Sequence, residues 1–319
     1  MTVEKLNELY SSNIKSIMNS QMLSTISDRT YDINGFNLLN RLIIYIQNKY
    51  VTSLKSDEHW GAIGRQTRDK ASPIWIIETA FETKYIDNET HEIIDDLDLS
   101  LGDIDKAIKL GIIGVVKNPV GLRCIPLYNI KDTSICDKET YQSYMKKEQS
   151  GIKISTLLKV ASSKLNIKCA KVENKSSFDK NKNTINIGKD KTKDKLNAIL
   201  EGIIYNINLE SSFDDFKDDI KDFDVYLKLC KEFIRQSLLS YCNKDETVES
   251  DAFKDIDSLE MNDDDIQNFV RMLATSYDVV DGLIDIINPS VRISDSTFRK
   301  TKVLLQTMEA SLISNEIRG

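Results

Sequence analysis

The sequence predicts an α+β fold, with N-terminal helices and a small antiparallel sheet followed by a mostly helical second domain. Three stretches carry this prediction. FNLLNRLIIYIQ places Phe36, Leu39, Ile43 and Ile46 at three- and four-residue steps, the period of an amphipathic helix. SPIWIIETAFETKYI, opening at Pro73, begins with a run rich in Ile and Trp that reads as a strand. From Phe213 onward the apolar spacing is helical throughout, over 213–242, about 263–287 and about 295–316.

The remaining elements follow in order. MTVEKLNELYSSNIKSIMNS is an amphipathic helix with Val3, Leu6, Leu9, Tyr10, Ile14 and Ile17 inside; its early acids and broken apolar run do not suit a signal peptide. Leu38, Leu42 and Tyr45 widen the apolar face of the 36–47 helix, so it belongs inside a core. DEHWGAIGRQTRDKASP is polar around one bulky anchor, Trp60. Residues 85–105 hold eight acids and no Lys or Arg, as a solvated loop would. A short helix is expected over 103–112, then two strands around a turn at Asn118-Pro119-Val120-Gly121. A polar helix over 138–151 ends at Gly151, which divides the chain into domains 1–150 and 151–319. The second begins with an amphipathic helix (154–167), the strands KCAKVE and NTINIG flanking a polar turn SSFDKNKN, and a helix carrying Leu196, Ile199, Leu200, Ile203 and Ile204 on one face. Ser294 or Asp295 caps the last helix, and Asn288-Pro289 stops the one before.

A chain of 319 residues with 40% hydrophobic and 29% charged residues is long enough for two ordinary cores. No apolar run approaches the length of a bilayer crossing, so no membrane partner is expected. The five cysteines are odd in number and lack Cys-x-x-Cys spacing, which suits buried free thiols in a reducing cytoplasm. The net charge of −7 argues against a uniformly basic nucleic-acid binder. The charge is unevenly spread, however: residues 153–195 carry twelve lysines and four acids, and 196–319 carry thirteen basic and twenty-five acidic residues.

Asn40, Leu42-Ile43, Gln47, Trp60, Gly64-Arg65, Arg68, Lys70 and Ile74 stand in an order that resembles the N-terminal domain of ArdC-like antirestriction proteins and their LtrC-like relatives. IPLYNIKDTS (125–134) is similar to a second strand of that family, with Tyr128, Asn129, Ile130 and Thr133 in register. Ala71 and Ser72 replace the Gly that usually follows the family's Lys. The resemblance covers roughly the first 145 residues and implies binding of single-stranded DNA, with Asn40, Gln47, Trp60, Arg65, Arg68 and Lys70 as the nucleic-acid contacts.

The helix–strand–strand–helix order at 154–205 resembles the start of an ImmA/IrrE-type zinc peptidase, which implies a zincin-like second domain. In that family a helix carries His-Glu-x-x-His, two zinc ligands one turn apart with a Glu as general base. The register here is Leu200-Glu201-Gly202-Ile203-Ile204, with aliphatic side chains at both ligand positions and no His anywhere after His91. Glu232 matches the family's third, acidic ligand. The expectation is a peptidase-like scaffold without metal, cofactor or catalysis.

Each feature also has a plainer reading. Trp60 stacks on a base or pins the 36–47 helix; Arg65, Arg68 and Lys70 hold phosphates or form a solvated turn. Asn40 and Gln47 share a helix face, and there they either orient the Trp60 segment or bind a nucleotide edge. Trp75 alternates with isoleucines and belongs to the core, and Glu201 is ordinary surface polarity. The lysines of 153–195 extend a phosphate track or reflect composition alone. The acidic run FDDFKDDIKDFD (213–224) is a solvated helix face with Phe213, Phe216, Ile220 and Phe223 buried, or a surface for a host or plasmid protein such as a nuclease or regulator.

Overall fold

The computed structural model describes residues 1–28, 36–94, 101–147, 153–207, 209–242 and 250–287. The helix expected over 295–316, its caps and the Asn288-Pro289 stop lie outside the described residues, as does Gly151. The fold is α+β.

The first half opens with α1 (Val3–Ile17), α2 (Ser20–Ser27) and α3 (Leu38–Gln47). Each begins at a capping side chain: Thr2, Asn19 and Asn37 accept hydrogen bonds from the N–H groups of Lys5, Met22 and Asn40. Then come β1 (Leu54–Lys55), α4 (Asp57–Ala62), β2 (Arg65–Thr67), β3 (Ile74–Asp87), β4 (Ile93–Ile94), α5 (Leu101–Lys109), β5 (Ile113–Asn129), β6 (Thr133–Ile135) and α6 (Lys138–Lys147). The main sheet runs β1-β5-β3-β4, and β2 pairs with β6 in a separate two-stranded sheet.

Two expectations for this half are corrected. There is no turn at 118–121: β5 is continuous and pairs antiparallel with β3 from Ile74↔Leu127 to Asp87↔Ile113. Pro119 and Gly121 mark a bulge instead, since Ala80 faces Gly121 and Phe81 faces Pro119, leaving Val120 as the extra residue. Nor is 85–105 all loop. β3 runs on to Asp87, β4 pairs with it at Tyr85 and Ile86, and α5 buries Ile104. Beyond the bulge the β3–β5 ribbon leaves the core, with Phe81, Val115, Val116 and Val120 exposed.

The second half contains α7 (Ile154–Lys164), β7 (Lys168–Lys171), β8 (Ser177–Asp179), β9 (Thr184–Ile187), α8 (Thr192–Asn206), α9 (Phe223–Cys242) and α10 (Asp263–Ile287). Its sheet runs β7-β9-β8, with β7 parallel and β8 antiparallel to β9. β8 falls inside the expected polar turn; its single buried side chain, Phe178, is too little apolar signal for a period-2 pattern. The actual turn is narrower: Asp179 accepts from the N–H groups of Asn181 and Lys182, and Asn183 takes positive φ.

The helix expected over 213–242 is also corrected. Ser211–Phe216 is a 3-10 turn, and Asp222, at φ 63°, separates it from α9. Phe213 and Ile220 are buried as expected, while Phe216 and Phe223 are half-buried. A further 3-10 segment, Asp251–Ser258, buries Phe253 and Ile256. α10 starts at a reciprocal capping box, in which Asn262 accepts from the N–H of Asp265 and Asp265 accepts from the N–H of Asn262.

The largest core joins α8, α9 and α10 to Met22, Leu23 and Ile26 of α2 and Leu38 and Leu42 of α3, so the helical packing crosses the expected boundary at 150/151. Arg41, 1% exposed on α3, donates to the Asp28 carbonyl at 2.7 Å and to the Tyr277 hydroxyl on α10 at 3.4 Å. The Tyr277 hydroxyl in turn donates to the Phe36 carbonyl at 2.7 Å. All five cysteines are free thiols. Cys230 and Cys242 are buried, Cys124 is half-buried, and Cys136 and Cys169 are exposed rather than buried as expected. No helix among the described residues is long and apolar enough to cross a membrane.

Candidate nucleic-acid interface

The loop carrying Trp60 and the basic residues folds as α4 leading into the β2–β6 pair. Ser56 caps α4 by accepting from the N–H of His59, and Asp57 and Glu58 in the first turn favour its positive end. Gly64 then reverses the chain at φ 83°; a Cβ there would run into the Asp137 carbonyl oxygen, so glycine is required. The Gly64 carbonyl accepts from the N–H groups of Cys136 and Asp137. Asp137 accepts from the hydroxyl and N–H of Thr140 at the start of α6, and these bonds hold its carboxyl below the usual carboxylate range.

Four of the six expected contact residues are turned inward. Trp60 is 1% exposed and donates its indole N–H to the Tyr128 carbonyl at 2.9 Å. The Arg65 guanidinium lies 5.8 Å from the Trp60 ring and 4.7 Å from the Tyr141 ring, and the Lys55 ammonium lies 5.7 Å from Trp60 and 5.4 Å from Tyr144. These contacts make Trp60 the centre of a packed cation–aromatic cluster. Arg65 is 9% exposed; its Nε donates to Thr133 Oγ1 at 2.7 Å and its Nη2 to the carbonyls of Ile130 and Thr133.

Asn40 and Gln47 act on β3. Asn40 donates to the Ile77 carbonyl at 2.8 Å and accepts from the Ile77 N–H at 2.9 Å. Gln47 treats Trp75 the same way, at 2.7 and 3.0 Å. β4 pairs with β3 only at Tyr85 and Ile86. The amides therefore satisfy backbone groups on an edge that no strand among the described residues covers at Trp75 and Ile77. Trp75 packs partly buried against Leu39 and Ile43.

Arg68 and Lys70 are the two expected residues that reach solvent. They lie on the turn after β2, where the Arg68 N–H donates to the Asp132 carbonyl and the Ala71 N–H to the Arg68 carbonyl. That contact brings in Lys131, which sequence reasoning missed because it lies 61 positions beyond Lys70. Only the β2–β6 register, pairing Thr67 with Thr133, places it there. None of these three cations has an ion-pair partner among the described residues; Asp69 and Asp132 share the turn with them.

In the second half, Leu200 is fully buried, Ile204 is half-buried, and the Glu201 carboxylate is 52% exposed and 3.9 Å from the Lys180 ammonium. Gly202 lets α8 lie directly on Ile185 and Phe178, each about 3.0 Å from where a Cβ would sit. Glu232 accepts from Arg235 at 2.8 and 2.7 Å, from Gln236 at 2.6 Å and from Ser250. Burial pushes its pKa up, but these donors outweigh that and hold it below the ordinary glutamate range. Arg235 also donates to Asn197 on α8 at 2.9 Å, so a guanidinium links the two helices. No group of three or more His, Cys, Asp or Glu side chains is placed to hold a metal among the described residues. The lysines of 153–195 are spread over α7, β7, the β8–β9 turn and the start of α8, and Lys180 and Lys182 pair with Glu201 and Asp179.

No family model and no curated protein matches this sequence. Among solved structures, the chain is similar to the metal-free antirestriction ArdC protein from the R388 plasmid, with a TM-score of 0.45 and 9% identity over 89% of this chain and 97% of that one. The Mn(II)-bound form of the same protein gives a TM-score of 0.40 and 8% identity over the same shares.

Proposed function

We propose that this chain is a non-catalytic, single-stranded-DNA-binding protein of the antirestriction type, carried by a mobile element or phage. The observation that carries this reading is the turn bearing Arg68, Lys70 and Lys131, three exposed cations with no ion-pair partner among the described residues, in a chain of net charge −7. Asp69 and Asp132 share the turn, but no ion pair among the described residues ties either to the three cations, so phosphates would replace water around them without first displacing a paired carboxylate. The resemblance of residues 40–74 and 125–134 to ArdC-like sequences supports single-stranded DNA as the ligand. The aliphatic Leu200 and Ile204, with Glu201 exposed beside Lys180, support a peptidase-like half that works as a scaffold rather than an enzyme.

Fluorescence anisotropy with dye-labelled single- and double-stranded oligonucleotides tests the reading. Wild type is expected to bind the single strand at low salt and to lose affinity as salt rises. Replacing Arg68, Lys70 and Lys131 together by Ala should weaken binding and flatten the log–log salt slope by about 2, at roughly 0.7 per phosphate contact. A folded wild-type protein that binds no oligonucleotide at low salt sinks the proposal.

A further inference from the structure

An open cleft of about 460 Å³ lies where the end of α1, the start of α2 and the end of α3 meet. Five amide side chains line it, those of Asn13, Asn19, Gln21, Gln47 and Asn48; among the described residues its lining holds one cation, Lys49, and no carboxylate. Two other clefts of similar size, in the second half, do hold carboxylates: Glu201 and Glu210 line one of about 470 Å³, and Glu201, Asp224 and Glu232 line one of about 380 Å³.

Tyr50 stands at its edge with 67% of its surface exposed, and the Lys49 ammonium lies 5.3 Å from its ring. Asn48 accepts from the Tyr50 N–H at 3.0 Å, which fixes the backbone that presents the ring. The Gln47 amide is taken up by β3, and Asn19 Oδ1 accepts from the Met22 N–H as a helix cap. That leaves Nδ2 of Asn19, Nδ2 of Asn48 and both ends of Gln21 without a partner among the described residues. The cleft thus offers a flat aromatic platform, adjacent donors and acceptors, and one positive charge.

We propose that this cleft is a nucleobase site, in which Tyr50 stacks on one base of a single strand, the amides meet its hydrogen-bonding edge and Lys49 meets its phosphate. A single strand suits it because its bases expose both faces and edges, which a duplex hides. Sugars also pack on aromatic rings, but the lack of a carboxylate among the described lining residues to grip paired hydroxyls, and the cation beside the ring, favour a nucleotide. The polymer part of this inference rests on the proposed function; the site itself does not, since a free nucleotide would fill it.

The test uses the full chain, a dye-labelled single-stranded oligodeoxynucleotide carrying one 2-aminopurine, and free deoxyadenosine monophosphate followed by ligand-observed NMR. Tyr50→Ala is expected to abolish the 2-aminopurine quenching seen with wild type and weaken binding on the order of tenfold, while Tyr50→Phe keeps both. Since Tyr50 is largely exposed, these variants should retain the fold. If the Arg68, Lys70 and Lys131 triple variant loses the oligonucleotide while Tyr50→Ala binds and quenches as wild type does, the nucleobase site is wrong and the DNA-binding reading survives. If wild type ignores the oligonucleotide but shows Tyr50-dependent binding of the monophosphate, the site stands and the DNA-binding reading fails. Binding of neither ligand overturns both.

Discussion

Asn40 and Gln47, seven residues apart on α3, clasp Ile77 and Trp75, which are only two residues apart on β3. Seven residues of helix rise about 10 Å, while two residues of strand advance about 7 Å. The longer reach of Gln helps to close the difference. The two amides do for this edge what a neighbouring strand would do.

Removing the inner clasp should cost more than removing the outer one. Asn40 is 5% exposed, so Asn40→Ala leaves a buried N–H and C=O of Ile77 without partners and should destabilise by about 2–3 kcal/mol. Gln47 is half-buried, water can replace its amide, and Gln47→Ala should cost about 1 kcal/mol. Chemical denaturation of both variants measures this, and equal losses would contradict the burial argument.

Arg65 and Arg68 should separate in the laboratory although they lie three residues apart. Arg65→Ala removes a buried fork with three acceptors and should cost about 2–4 kcal/mol, with Arg65→Lys recovering less than half of it because one ammonium cannot reproduce the fork. Arg68→Ala, on an exposed turn, should shift stability by less than about 0.5 kcal/mol. Thermal melts of the three variants decide the matter.

The Arg235 link should matter for the second half. Arg235→Met takes the counter-charge from Glu232, whose carboxylate is 12% exposed, and should lower stability by about 2–3 kcal/mol. Arg235→Met combined with Glu232→Met removes both charges and should recover much of the loss. Urea melts of the single and double variants measure it. A chelator should leave the wild-type Tm unchanged, because the residues joining α8 and α9 are an arginine, an asparagine and a glutamate.

Asp278 should make stability fall as pH rises. Burial, then the neighbouring Asp281, raises its carboxyl to about 7 from an ordinary 3.8. Below the ordinary value the group is neutral in both states and costs nothing. As pH climbs from there to about 7, the unfolded chain ionises while the fold holds the proton, so stability drops, and the full penalty applies above that. Asp278→Asn should raise stability by about 1–2 kcal/mol above neutral pH, after discounting for partial exposure, and change little near pH 4. Tm measured for both proteins from pH 4 to 8 tests the sign.

Long, strongly periodic elements were legible in the sequence. The helix expected over 36–47 is α3, which begins two residues later at Leu38, β3 starts directly after Pro73, and α10 matches the expected 263–287. Local apolar period and capping chemistry fix such elements without help from distant residues. β8 escaped because it has one buried side chain, and the bulge at Val120 read as a turn because Pro119 and Gly121 carry the same local signal in both settings.

The sequence by itself determined the α+β class, the polar face of α3 and the aliphatic residues at 200 and 204. Only the tertiary structure decided which polar groups face water. Trp60, Arg65, Asn40 and Gln47 look like contact residues in a linear pattern, yet their partners lie 28 to 68 positions away and draw them inward. Lys131 joins Arg68 and Lys70 for the converse reason. Whether a polar side chain bonds to solvent or to the protein depends on the partners that folding brings within about 3 Å, and distance along the chain carries no record of them.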